Sequence, residues 1–413
     1  MEMRKRRINI LLFCLCLFTF FYLLLIFMPK RKEKMIDIVG LNVSVARKFA
    51  RDNDLNLKVK EVYSDKVRKD IVIKQSIVAG KQLQDKDTLT VTVSLGKDER
   101  ELYKKYKVNE LGMIPIVVYH EIEKVDEPTK QEDGTTDKNG FVRTVDAFKK
   151  DLQYYYEHQY RMIALQDMVE GNIDVEMGKS PIVLTFDGGY ENTVKVIGET
   201  KNGELRIDPD CALGILESFK KQYPDFQVTA TFFVNEHLFG DKKYNKKILK
   251  WLVENGYDIG NGTMTGADIT ALDYTTTEKE IGGMYHLFED LIPEEYVSIV
   301  ALPNGSPYQV DHKNYDAVLE GTYDQFHYQT YATLQPEFGA NVSCFDLSFS
   351  TYFIKRIKAY HGDGVTDSLE NQMQELEQTK YISDGHIKQV VVPREQKAQL
   401  RLDIAHEVIT YEP

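Results

Sequence analysis

Asp187 stands directly after the apolar run Ile182 to Phe186, and His120 directly after Ile114 to Tyr119. A carboxylate at the end of a buried strand can take a proton as a general base, and an imidazole beside the same cleft can contact a ligand. Other chemistry is hard to find. The nine histidines contain no i, i+4 pair and no His-Glu-x-x-His segment, so a helical zinc site is not visible. Two of the four cysteines, Cys14 and Cys16, sit in an apolar run, and Cys211 and Cys344 lie far apart. They are too few and too scattered for a disulfide framework or a thiolate zinc site, and permit at most one bridge. No phosphate loop, Ser-His-Asp order or nucleotide fingerprint stands out.

The elements that must position Asp187 and His120 alternate along the chain. Strand-like runs are expected at Ile114 to Tyr119, Ile182 to Phe186, Thr229 to Val234 and Val297 to Leu302. Between them fall helical patterns at Val145 to Gln159, Cys211 to Gln222, Lys246 to Asn255 and Thr276 to Leu291. Phe148, Leu152 and Tyr155 or Tyr156 share one face of the first of these helices, and Gly256 supplies a left-handed stop for the third. Short buried strands separated by helices predict an α/β domain with a parallel sheet, open or closed into a barrel, and reactive loops at the strand C-terminal ends. Gly282-Gly283 inside a helical pattern marks a close packing contact or a kink, Trp251 reads as core, and the pattern after Gln335 determines little.

With 413 residues, 42% of them apolar, the chain is long enough for two to three domains. Its formal net charge is −12, and the first 34 residues hold eight Lys/Arg against two Asp/Glu, so the remainder carries −18. Such a body disfavours nucleic acid as a partner. Residues 8–28 contain no charged side chain and are long enough to span a bilayer. Lys and Arg flank the run on both sides, so the short tail, residues 1–7, decides the orientation: inside, with everything that follows outside. The run exceeds a usual signal core and ends in Phe27-Met28-Pro29-Lys30 without a small-x-small site, which favours a retained anchor over a cleaved signal peptide. The expected location is a cell membrane, crossed once, with the large C-terminal part extracellular.

Residues 35–96 read as a small α+β unit. Ser44 is expected to cap a helix through Leu55, and strands follow at Leu57 to Val62, Ile71 to Gln75 and Leu89 to Leu95. In the last of these, apolar and polar residues alternate with the period of a half-buried strand. The unit resembles a PASTA domain through Ile38-Val39-Gly40-Leu41, Ile73-Lys74-Gln75-Ser76, Ala79-Gly80 and Val93-Ser94-Leu95-Gly96. That resemblance implies a cell-envelope protein, with the module either sensing peptidoglycan or serving as a spacer. A charged linker, residues 97–111, is expected to be a short helical stalk without a continuous apolar face.

Three further segments stand at strand ends: Thr185-Phe186-Asp187-Gly188-Gly189-Tyr190, Asp258-Ile259-Gly260-Asn261-Gly262-Thr263-Met264-Thr265-Gly266, and Ala301-Leu302-Pro303-Asn304-Gly305-Ser306-Pro307. With Val117-Val118-Tyr119-His120 and Ala230-Thr231-Phe232-Phe233-Val234, residues 112–413 resemble a NodB-type polysaccharide deacetylase of carbohydrate esterase family 4. The resemblance implies a distorted (β/α) barrel that removes acetyl groups from glycan with zinc or another divalent metal. It places the general base at Asp187 and the metal ligands at positions 188, 262 and 266. All three are glycine here, so no tight metal and no cofactor are expected as written. The arginine that orients the base in many relatives is also missing from the third segment, where Ala301-Leu302 stands.

Asp187 is thus the retained base position, and His120, Tyr190 and Asn304 are the expected substrate contacts. The function expected is binding of N-acetylated wall glycan, such as peptidoglycan, by a catalytically impaired domain. Two alternatives stand beside it: an active deacetylase that draws ligands such as His361 or Asp363 from the divergent tail, and a structural scaffold for wall proteins. Natural loss of the ligands and ablation of a parent enzyme fit the sequence equally.

Overall fold

A computed structural model describes residues 33–84, 86–125, 141–335, 339–359 and 368–413. The expected membrane span and the alternative ligands His361 and Asp363 lie outside these residues. Among the described residues no helix is long and apolar enough to cross a membrane. The chain divides into two compact units, one ending at Glu101 and the other beginning at Leu102.

In the first unit a helix, α1 (Val43–Asp52), precedes strands β1 (Asn56–Val62), β2 (Val72–Gln75) and β3 (Thr88–Ser94), which pair in the order β1-β3-β2. The alternation in β3 puts Leu89, Val91 and Val93 into a core with Ile38, Ala46, Ala50 and Val72. The cap of α1 is Asn42, whose Oδ1 accepts from the Ser44 amide at 2.9 Å; the expected cap, Ser44, is itself inside the helix. Asparagine and serine cap about equally well, so position alone decides between them. The charged stretch that follows is less featureless than its composition implies. Its helix, α2 (Arg100–Tyr106), carries Tyr103, which already belongs to the second unit and is buried within it beside Val108, Val391 and Tyr411.

The second unit is built on a curled parallel sheet. Its strands are β4 (Ile116–Tyr119), β5 (Tyr160–Met162), β6 (Ser180–Asp187), β7 (Thr231–Val234), β8 (Asp258–Asn261), β9 (Ile299–Ala301), β10 (Ala332–Leu334) and β11 (Ile357–Lys358). They run in the order β10-β9-β8-β7-β6-β4-β11, with β5 on β6. The segment entering β11 bonds to β10 first, through Ile354 N to Thr333 O (2.8 Å) and Gln335 N to Ile354 O (3.0 Å), and then to β4 through Ile357 and Lys358. One segment therefore bonds to both edge strands of this sheet.

The strands are buried on both faces, which is why they read as continuous apolar runs. One face of the sheet packs Ile116, Val183, Phe233, Ile299 and Ala301 into an inner cluster. The other turns Val117, Tyr119, Leu184, Phe186, Phe232 and Val300 towards the surrounding helices. These helices include α3 (Val145–Glu157), α4 (Ala212–Gln222), α5 (Asn245–Glu254) and α6 (Tyr274–Leu291). Gly256 takes φ +83° after α5, as expected of a left-handed stop. Gly282 is a close packing contact: a Cβ there would stand 2.5 Å from Tyr328 Cε1. Trp251 is only partly buried against the core, and Cys211 and Cys344 are both buried free thiols.

A buried ion pair ties α3 to this frame. Arg143 gives Asp151 two hydrogen bonds, at 2.9 and 2.7 Å, and the Tyr119 hydroxyl donates to the same carboxylate at 3.0 Å. At the opposite end of the sheet from the strand C-termini, Asp258 opens β8. Burial, with the nearby charge of Asp167, pushes its carboxyl up to about 6, partly opposed by the Thr231 hydroxyl. A carboxyl raised in the folded state favours folding below its unfolded value near 3.8, and this contribution is lost as pH rises through about 6. Asp258→Asn removes that titration. It is expected to stabilise the second unit by about 1–3 kcal/mol more at neutral pH than near pH 4, measured as the difference in urea unfolding free energy between variant and wild type.

Candidate functional site

Residues at the C-terminal ends of the strands line a cleft of about 700 Å³. The pairing registers set which side chains reach it. On β6, Val183, Thr185 and Asp187 share the inner face, and Val118 of β4 pairs with Thr185 while Phe233 of β7 pairs with Asp187. Asp187 is therefore the last inward residue of its strand, and His120, one step beyond β4, stands beside it in register. Both line the cleft, as do Tyr190 and Asn304, so the four residues singled out in the sequence converge on one place.

The sequence reading missed the partner of Asp187. Arg356, just before β11, gives the carboxylate a fork of two bonds, Nη1 to Oδ1 and Nη2 to Oδ2, each 2.7 Å. Its Nη1 also lies 3.4 Å from the Thr185 hydroxyl. The Arg356 side chain is 2% exposed and that of Asp187 18%, so the pair is largely withdrawn from water. The expectation that no arginine orients Asp187 is thus corrected: the guanidinium comes from the far end of the chain instead of the Ala301-Leu302 position. The clue is the alternation Arg356-Ile357-Lys358, in which two cations flank an apolar residue that packs on the helix-facing side with Val117. Lys358 also lines the cleft, its Nζ 4.4 Å from the centre of the Phe141 ring, and Phe141 packs edge-on against His120 at 4.5 Å.

Two loops on the rim are held by side chains below them. Asn261 is fully buried; its amide donates to Ile281 O at 3.0 Å while its Oδ1 accepts from the Thr263 amide at 2.8 Å. Thr263 sits at φ +65°, a costly conformation for a β-branched residue, and its hydroxyl oxygen accepts from the Gly266 amide at 3.0 Å. Buried Glu280 on α6 receives both the amide and the hydroxyl of Thr265, at 2.8 and 2.9 Å. Asp268 accepts from the hydroxyl of Ser306, which joins this loop to the loop after β9 and holds the Asp268 carboxyl below its ordinary value. In that second loop Asn304 takes φ +52°, and its carbonyl accepts from the Tyr308 hydroxyl at 2.6 Å.

The donor set does not fit a divalent metal. Gly188, Gly262 and Gly266 all line the cleft and offer no side chain. Of the described lining residues only Asp187 and His120 are carboxylate or imidazole, and Asp187 has both oxygens on Arg356. No group of three or more His, Cys, Asp or Glu able to hold a metal occurs among the described residues. The backbone at the three glycines also resists a side chain. Gly188 and Gly266 lie at φ +93° and +74°, and a Cβ on Gly262 would meet Val234 O at 2.9 Å. His386, late in the chain, belongs to the other end of the sheet, where Ser383, three residues before it, bonds to Lys179 just before β6.

Comparison with known proteins agrees with the two-part layout. Residues 33–95 match the PASTA domain, and residues 174–321 match the polysaccharide deacetylase family. The chain therefore carries a PASTA domain and a polysaccharide deacetylase domain. An uncharacterized 30.6 kDa protein from the fumA 3' region of Geobacillus stearothermophilus is 30% identical over 127 residues. That match covers 31% of this chain, and the chain spans 39% of that relative's length. Among solved structures, the Streptococcus pyogenes deacetylase PplD in complex with acetate is 15% identical, covering 64% of this chain and 98% of its own, with a TM-score of 0.44. A polysaccharide deacetylase from Bacillus cereus is 16% identical, covering 64% of this chain and 69% of its own, with a TM-score of 0.43.

Removing one partner from a desolvated ion pair leaves an uncompensated charge, whereas removing both does not. Arg356→Gln is expected to cost about 2–4 kcal/mol in unfolding free energy, less than a fully buried pair because Asp187 keeps some solvent. Asp187→Asn combined with Arg356→Gln is expected to recover at least half of that loss in urea denaturation.

Proposed function

We propose that this is a membrane-anchored cell-envelope protein whose deacetylase-type cleft binds N-acetylated wall glycan but does not carry out its family's metal-dependent deacetylation. The observation that carries the reading is the contrast inside one cleft. Asp187 is clamped, the rim loops are pinned by Asn261, Glu280 and Asp268, and the three positions that should hold a metal are glycine.

In the family the metal polarises the acetamide carbonyl and activates water. Here Asp187 can accept a proton, but its charge is balanced by Arg356, and the described lining has no donor set to hold the metal that would be the electrophile. A base alone leaves the oxyanion of a tetrahedral intermediate uncompensated, which forfeits what is usually the largest catalytic contribution. Binding needs much less. The mouth offers the imidazole of His120, the amides of Asn235 and Asn304, the Thr265 hydroxyl, and three aromatic rings, Phe141, Tyr190 and Tyr308. Polar groups that fix orientation, set among apolar surface, are what a sugar-sized ligand requires.

The PASTA domain supports the same setting, since it joins a glycan-type cleft to a module associated with the envelope. The uncharged run 8–28 supports a single membrane crossing with the rest of the chain outside. The alternative ligands His361 and Asp363 would have to rebuild a metal site without help from the three glycine positions. Isothermal titration of the full chain in detergent micelles with tetra-N-acetylchitotetraose is expected to show one site. Asn304→Ala and His120→Ala are each expected to weaken it by roughly three- to tenfold, about 0.6–1.4 kcal/mol. Absence of binding at millimolar oligosaccharide would overturn the reading.

A further inference from the structure

The space over Gly188, next to Asp187, is occupied by a ring. An ideal Cβ on Gly188 would stand 2.4 Å from Tyr190 Cε2, 2.9 Å from Cζ and 3.0 Å from Cδ2. Three atoms along one side of the ring thus press against the space where a side chain at position 188 would begin. Real Cβ atoms are essentially never that close to a neighbour, and Gly188 is moreover at φ +93°. Any residue other than glycine must move the ring, the backbone or both. The turn itself is held in place by the Gly188 amide, which donates to Phe233 O at 2.9 Å, and by the Thr193 amide and hydroxyl, which donate to Tyr190 O at 3.1 and 2.6 Å.

Tyr190 is nevertheless 41% exposed and lines the cleft, so the ring is supported from below and open to a ligand. Tyr308, 65% exposed, also lines the cleft, and its hydroxyl is anchored on Asn304 O. Aromatic rings present an electron-rich face, which attracts the weakly positive C–H groups that cover one face of a pyranose. Tyrosine does this at low entropic cost, having only two side-chain torsions to fix.

We infer that Gly188 is a specificity-determining residue for sugar binding, because it lets the Tyr190 ring lie against the turn beside Asp187 as a platform for the apolar face of a pyranose. The inference rests on the glycan-binding reading and adds to it a positive role for a position otherwise described only by the ligand it lacks. The missing metal ligand and the aromatic platform are then two aspects of one feature. A side chain at 188 displaces the ring, and the ring in its present place fills the position from which a ligand would reach a metal.

The test is a double-mutant cycle on the full chain in micelles, titrated with tetra-N-acetylchitotetraose. Tyr190→Ala and Gly188→Ala are each expected to weaken binding about tenfold, while Tyr190→Phe stays within about twofold because the face and not the hydroxyl makes the contact. In the Tyr190→Ala background, Gly188→Ala is expected to have no further effect. Binding by the wild type with Gly188→Ala unchanged, or with Gly188→Ala equally harmful in both backgrounds, overturns the inference and leaves the glycan reading standing. No binding by the wild type overturns the glycan reading, and the inference falls with it. Thermal melts identify a variant that fails to fold. Should Gly188→Ala be one, NMR supplies the second readout: ring-current shifts of the sugar C–H protons are expected in wild type and Tyr190→Phe. Their absence in wild type, or their persistence in Tyr190→Ala, overturns the inference.

Discussion

The ion pair between Asp187 and Arg356 joins two stretches of chain that are 169 residues apart in sequence. Asp187 closes β6 within the sheet, and Arg356 leads into β11 at its edge, so the pair reaches across β4, the one strand between them. The segment that delivers Arg356 is the same one that bonds to β10 and then to β4. Closure of the sheet and orientation of the carboxylate are therefore one constraint. A fork of two charge-assisted bonds fixes the plane of the carboxylate and balances its charge, which suits a group held in position more than one left free to react.

Around that pair the cleft keeps its shape without the donors that a metal would need. Shape is maintained by hydrogen-bonded polar groups: buried Asn261 under one loop, buried Glu280 under its continuation, and the more exposed Asp268 between loops. The two buried groups would be expensive to leave unsatisfied, so the first loop is specified from beneath and does not depend on an ion to assemble it. This explains how three ligand positions can be glycine while the rim around them retains a definite conformation. Energy that a metal site would supply to loop order comes instead from backbone bonds such as Gly262 N to Val234 O, at 2.9 Å.

Much of this arrangement was legible in the sequence. Runs such as Ile182 to Phe186, apolar except for Thr185, read so because both faces of the strand are covered, and that pattern located the sheet and put Asp187 and His120 at its C-terminal rim. Helix limits were readable where the chemistry is distinctive, as at Gly256, and less so where Asn42 and Ser44 compete for one cap. The largest omission was Arg356. Its strand is two residues long, too short for a period to register, and its partner is distant, so nothing local announces the pair. Tyr103 was missed for a similar reason, since one of the two tyrosines in a charged helix shows its burial only when Tyr411, near the C-terminus, packs beside it. The role of Tyr190 against Gly188 depends on backbone angles that composition does not encode.

The central claim is that this cleft binds glycan without hydrolysing it, and acetate release tests it most directly. The full chain in micelles, supplied in turn with zinc, cobalt and nickel, would be incubated with tetra-N-acetylchitotetraose and with peptidoglycan fragments, and free acetate measured against Asp187→Asn. The account predicts release no greater than from Asp187→Asn under every metal. Metal-dependent release that Asp187→Asn abolishes would contradict it, and would mean that ligands from elsewhere in the chain complete a working site.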